Sequence, residues 1–174
     1  MKAWIFAVLS VLPVHAYGQA SRKHTPAEVR RQIEERGART VVWELSASEG
    51  TWKNMRMGIR SGSREWLDVA VLLYRGSDAK TSPALTDAVR DALEVAAENV
   101  LVVTSDDFPL AALCGLPDAE TARFPTLDAA LSTILKRETQ LRKITSEALR
   151  SKRDKCLAHL EAVKEPLRRS FAQR

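Results

Sequence analysis

Apolar side chains recur at intervals of three and four along most of this chain, a period that fits helices and almost nothing else. The clearest run follows Thr126, where Leu127, Ala130, Leu131, Ile134, Leu135, Leu141 and Ile144 share one stripe. Leu149, Cys156, Leu157, Leu160 and Val163 continue it in a last long helix. Earlier, Leu85, Ala88, Val89, Ala92, Leu93 and Ala96 line one face, and their small size predicts close helix packing. Trp52, Met55 and Ile59 form a stripe, as do Trp66, Val69, Ala70 and Leu73. Both tryptophans are therefore expected in the core, meeting across a helical hairpin. Trp43 is unsettled, because Val42 and Leu45 compete for the inner face.

The breaks agree with that period. Thr25-Pro26-Ala27-Glu28 reads as a cap, a first-turn proline and a capping-box carboxylate. Gly37 supplies a stop. Ser61-Gly62-Ser63 separates two helices expected to lie antiparallel, and Ser82-Pro83 repeats the Thr25-Pro26 start. Val100 to Val103 is β-prone by composition. A lone strand would leave its backbone unpaired, so a short buried helix is expected. Residues 104–125 are the least regular stretch, with Pro109, Gly115, Pro117 and Pro125. Pro166 should end or kink the last helix and leave a fraying basic tail of Arg168, Arg169 and Arg174. The expected fold class is all-α: six to eight helices in an irregular bundle or helical-repeat-like array, one domain over residues 21–174.

Residues 1–20 read as a cleavable secretory signal. Lys2 provides the positive start, and Ala3 to Val14 is an uncharged apolar run. That run is shorter than the roughly 20 residues a membrane span needs. Gly18 and Ala20 place cleavage before Ser21, and Val14 with Ala16 offers a second site before Tyr17. The rest of the chain contains no membrane-length apolar segment. The expected location is the periplasm or the cell exterior.

Export changes how the two cysteines read. Cys114 and Cys156 are the only ones. An even count in an oxidising compartment points to a bridge, and only one intrachain pairing exists. Two buried thiols or a redox pair are the alternatives, although the close C-x-x-C spacing of redox pairs is missing.

Charge is unevenly placed. Residues 21–135 carry 14 basic and 17 acidic side chains, whereas residues 136–174 carry 12 basic and 5 acidic. The positive block could serve an acidic partner or an anionic envelope surface. It is also what the solvated face of long helices looks like, with Glu138, Glu147, Asp154, Glu161 and Glu165 interspersed. Export argues against nucleic acid as a partner.

Catalytic and metal motifs are hard to find. No H-E-x-x-H, C-x-x-C, G-x-S-x-G or phosphate-loop pattern occurs. Cys156 and His159 share a helix face, yet spacing places no further zinc ligand beside them. Asp106-Asp107 could do acid–base work, in an unfamiliar site with His159. The plainer reading has one of them capping a short helix after Pro109. No catalytic residue, cofactor or metal ligand is assigned.

One layout is distinctive: Trp52…Ile59-Arg60-Ser61-Gly62…Trp66-Leu67, then Asp78…Ser82…Leu85, an Ala-rich helix, Cys114-Gly115 and Cys156-Leu157. It resembles small exported all-helical proteins of Gram-negative bacteria. That resemblance implies a helical fold and an exported location, and carries over no catalytic residue. The expectation is an exported, non-enzymatic protein-interaction domain. Its candidate face is Arg142, Lys143, Arg150 and Arg153, or the 104–125 loop. Two other expectations are an immunity protein that neutralises a toxin delivered to the periplasm, and an envelope-associated protein using the basic C-terminal helix face.

Overall fold

The computed structural model describes residues 24–116 and 124–173. The signal segment with both cleavage sites, part of the 104–125 loop, and Arg174 lie outside the described residues. The elements are α1 (Pro26–Arg36), α2 (Ala38–Ser46), α3 (Glu49–Arg60), α4 (Arg64–Gly76), α5 (Ser82–Asp91) and α6 (Leu93–Val103). They are followed by α7 (Leu110–Cys114), α8 (Leu127–Arg142), a 3-10 turn at Glu147–Leu149, and α9 (Arg150–Ala172). The fold is all-α, with no strand among the described residues. Val100 to Val103 forms the last turn of α6, with Val100, Leu101 and Val103 buried.

Short polar side chains start these helices as their chemistry requires. Thr25 Oγ1 accepts from Glu28 N at 3.2 Å, and Thr126 Oγ1 accepts from Ala129 N at 3.2 Å. Ser48 and Ser63 do the same for α3 and α4. The start of α5 differs from the expected repeat of Thr25-Pro26. Its cap residue, Thr81, makes no side-chain cap bond. Asp78 organises the turn instead, its Oδ1 accepting from Lys80 N at 3.0 Å, Thr81 N at 2.9 Å and Thr81 Oγ1 at 2.8 Å. These bonds, led by Thr81, hold the Asp78 carboxyl below the usual aspartate range.

Around the core, α4 lies along α1 and α2, α3 against α5, and α8 between α6 and α9. The Ser61-Gly62-Ser63 turn joins α3 to α4, which touch each other but pack more extensively on other helices, α3 on α5 and α4 on α2 and α1. Gly62 takes a positive φ of 71° and sits so tightly on α6 that a Cβ there would come within 2.3 Å of the Ala96 Cβ. α6 is non-helical at that same Ala96, and Asn99 Nδ2 donates to Gly62 O at 2.9 Å across the contact. Trp52 and Trp66 are half-buried against the core. They do not meet across the turn. Each lies near the start of its helix, so Trp52 is far from the turn that Trp66 follows, and the Trp66 ring covers Gly58 late in α3.

Cys114, at the end of α7, and Cys156, in α9, stand at disulfide distance with Cα atoms 5.1 Å apart. Both are fully buried. The bridge ties the segment after α6 to the longest helix. That helix runs through Pro166 to Ala172 without ending there. Proline removes one backbone donor. Pro166 and Ala162, whose carbonyl loses that donor, are both exposed, so that carbonyl is not left in an apolar interior. Buried Leu167 and half-buried Phe171 hold the last turns to the core.

Two glycines test the packing in opposite directions. A Cβ on Gly76 would come within 2.4 Å of the backbone of Ala38 and Arg39, where nothing can rotate aside. A Cβ on Gly50 meets nothing within 4 Å. Gly76→Ala should destabilise by about 1–3 kcal/mol in chemical denaturation despite the better helix propensity of alanine, while Gly50→Ala should stabilise by up to about 1 kcal/mol. Reducing the bridge, which closes a sequence separation of 42, should lower stability by about 4 kcal/mol on the chain-entropy model, measured by denaturation with and without dithiothreitol.

Candidate interaction face

Four basic side chains of the C-terminal third, Arg137, Lys152, Arg153 and Lys164, are turned into the fold, while Lys136, Arg142, Lys143, Arg150, Lys155, Arg168 and Arg169 are exposed. Arg137 is completely buried, its Nη2 facing Asp91 at 3.6 Å and Glu94 at 3.7 Å. Lys152 Nζ donates to Leu101 O at 3.0 Å and Thr104 O at 3.2 Å, closing the C-terminus of α6, where a cation suits both the free carbonyls and the helix dipole. Arg153 closes α8 in the same way, through Ile144 O at 2.8 Å, and also meets Asp154 at 2.8 Å. Lys164 holds the buried Glu138 at 2.8 Å and Glu161 at 2.6 Å.

The four residues of the expected basic face are therefore unlike one another. Arg142, Lys143 and Arg150 are exposed, and Arg150 pairs with Glu147 on its own turn. Arg153 is mostly covered and directed at backbone. In the 104–125 loop, Phe108 is buried and packs on Tyr74 with ring centroids 4.6 Å apart. Asp107 accepts from Arg75 Nε at 3.0 Å. Neither aspartate caps α7: that helix starts at Pro109 without a side-chain cap bond, because Arg75 draws Asp107 toward α4. Asp106 and His159 are exposed, and no bond or ion pair links Asp106, Asp107 and His159.

Among the described residues, the outer seam between α6 and α8 carries two adjoining grooves. One groove of about 250 Å³ is lined by Val95, Asn99, Gln140, Lys143 and Ile144, among others. A second, of about 230 Å³, is lined by Glu94, Ser132, Leu135, Lys136 and Thr139, and shares Gln140 with the first. Val95 is 57% exposed and Leu135 62% exposed. Aliphatic side chains so open to water, beside grooves with a charged rim, are the exposed apolar feature that marks contact surfaces. The rim carries both signs, Glu94 and Glu98 from α6 against Lys136 and Lys143 from α8. Ser132 to Lys143 spans eleven helical steps, or about 16 Å.

The helical period expected Leu135 inside. It lies at the edge of the α8 stripe, and Ile134 and Glu138 take the inner positions beside it. Val95 is exposed because Ala96 breaks the helical rotation of α6 directly after it. Trp43 is also outside, 72% exposed on α2, while Val41, Val42 and Leu45 fill the inner face.

Comparison of the chain with protein-family models, with curated proteins and with solved structures finds no match. Among the described residues, no group of three or more His, Cys, Asp or Glu side chains could hold a metal ion. No described helix is long and apolar enough to cross a membrane.

The bonds of Lys164 to Glu138 and then Glu161 hold its ammonium above the ordinary lysine range, and Lys164 holds Glu161 below the ordinary glutamate range. A raised cation stabilises below its unfolded pKa and loses that effect as pH rises through the folded value. A lowered carboxylate stabilises above its unfolded pKa and loses that effect as pH falls through the folded value. Lys164→Met should thus cost about 1–3 kcal/mol near neutral pH by leaving Glu138 unpaired, and the gap to the parent protein should narrow toward both pH extremes in urea titrations.

Proposed function

We propose that this chain is an exported, non-enzymatic interaction domain, and that the α6/α8 seam receives a single amphipathic helix of a protein partner. The observation that carries this reading is the pair of exposed aliphatics, Val95 and Leu135, bordering two grooves that join at Gln140. The length of the seam matches about three turns of a partner helix, the groove-binding mode in which apolar side chains anchor and polar neighbours orient. Because the rim mixes signs, the anchor is apolar and binding should resist salt.

Export rests on the signal-like residues 1–20 and on a cysteine pair that suits an oxidising compartment. Of the basic side chains an envelope-surface reading would use, Arg137, Lys152, Arg153 and Lys164 are engaged within the fold, which leaves that reading the exposed ones, such as Arg142, Lys143, Lys155, Arg168 and Arg169.

The test uses the full chain, tagged at its C-terminus and recovered from the periplasm of a Gram-negative host. N-terminal sequencing should find Ser21 or Tyr17 first. Parent, Leu135→Asp and Trp43→Ser proteins are compared for captured partners in low and high salt. The reading predicts one partner retained in high salt by the parent and by Trp43→Ser, and weakened at least about 30-fold by Leu135→Asp, as expected for an anchor residue. Equal capture by Leu135→Asp, or capture that vanishes in salt for every form, contradicts it.

A further inference from the structure

Among the described residues five large hydrophobic side chains are exposed, and three of them, Val95, Val102 and Leu135, stand on α6 and α8. Val102 follows Glu98 by one turn, so the apolar surface continues along α6 past the grooves. The charges beside these side chains are sorted by helix. Glu94 and Glu98 come from α6, and Lys136 and Lys143 from α8. Glu94 already meets Lys136 at 4.0 Å. Glu98 and Lys143 line one groove and do not pair. Glu98 makes no ion pair or hydrogen bond among the described residues, and Lys143 Nζ donates only to the Gln140 amide oxygen at 3.3 Å. A surface with one acidic edge and one basic edge, each with a charge left over, is complementary to a copy of itself.

We propose that the α6/α8 seam docks on the same seam of a second copy of this chain, in a two-fold pairing that sets α6 of one protomer against α8 of the other. This rests on the reading of the seam as the contact surface, and adds a second occupant that competes with the partner helix. The charge pattern selects the pairing. α6 and α8 run in the same direction along the seam, since Glu94 stands beside Lys136 and Arg137, and Glu98, one turn later, shares its groove with Gln140 and Lys143. Two face-to-face arrangements keep the helices aligned. A two-fold axis across the seam lays α6 on α6 and α8 on α8, which opposes like charges. An axis along the seam lays α6 on α8 twice, so that Glu98 faces the partner subunit's Lys143 and Lys143 faces the partner subunit's Glu98.

The same axis brings Val95 over the partner subunit's Leu135, which covers the two most exposed aliphatics of the seam together. At about 16 Å long, the seam is small beside the roughly 1,600 Å² that a stable complex buries. The pair is therefore weak and reversible, and a helix with better anchors displaces the second copy.

The test is sedimentation velocity of the purified chain, recovered from the periplasm, at low ionic strength and between about 10 μM and 1 mM, the range that reads a weak pair. The parent should move from monomer toward dimer across that range, and Leu135→Asp should stay monomeric. Glu98 and Lys143 are exposed, and circular dichroism should find Glu98→Lys and Lys143→Glu folded. Each substitution opposes like charges at two symmetric points, so each variant alone should associate at least about fivefold more weakly than the parent. An equimolar mixture of the two variants should associate at least as well as the parent, because one chain then carries two cations where the other carries two anions. A purely structural role for either residue gives no such rescue. A parent that stays monomeric throughout overturns the proposal, as does association of either single variant equal to the parent, or a mixture no better than its components. Partner capture by a chain that stays monomeric refutes this inference alone. Self-association that follows the charge rule, with no partner captured, upholds it and refutes the helix-receiving reading alone.

Discussion

The fold depends on a charged group with no exposure to water. Arg137 places a guanidinium between α8 and the α5/α6 segment, where Asp91 and Glu94 face it. Burying an isolated charge is prohibitive, so the arginine fixes the position of both carboxylates. Those carboxylates link the same point outward, Asp91 to Arg60 at 2.9 Å and Glu94 to Lys136 at 4.0 Å. α3, α5, α6 and α8 are thereby registered at one place. The seam proposed to receive a partner is the outer edge of this joint, and Glu94 and Lys136 belong both to the joint and to the rim of the seam, so the buried guanidinium helps set the shape of that surface.

The same logic runs through the rest of the C-terminal third. Lys152 and Arg153 close helix ends, Lys164 neutralises a buried glutamate, and the Cys114–Cys156 pair anchors the segment between α6 and α8. Four basic side chains are thus converted into internal order. Net charge still shapes the long-range field. The seam proposed as a contact surface is small, apolar at its centre and mixed in sign at its rim.

The helices and the Thr25 cap were legible in the sequence, because the three-and-four period and a short polar side chain before a helix act locally. The bridge was legible from cysteine count. The direction of each basic side chain was not. Arg142 and Arg153 look alike in sequence, and only the approach of the α8 terminus to α9 separates an exposed cation from one bonded to Ile144 O. Two apolar positions were obscured for related reasons. Leu135 fits the helical stripe but lies at its edge, and Val95 is turned outward by the break at Ala96 that Gly62 occupies. The neighbours of α3 and α4 were hidden as well, since Ser61-Gly62-Ser63 specifies a turn but not which other helices each one packs against.

Chemical denaturation of Arg137→Met and Arg142→Met, side by side at neutral pH, tests most directly whether the basic C-terminal third holds the fold from within. Removing the buried guanidinium should cost about 3–5 kcal/mol, and removing the exposed one less than about 0.5 kcal/mol. Equal and small losses for both variants would contradict the account, and would return the positive block to the surface as a face for binding.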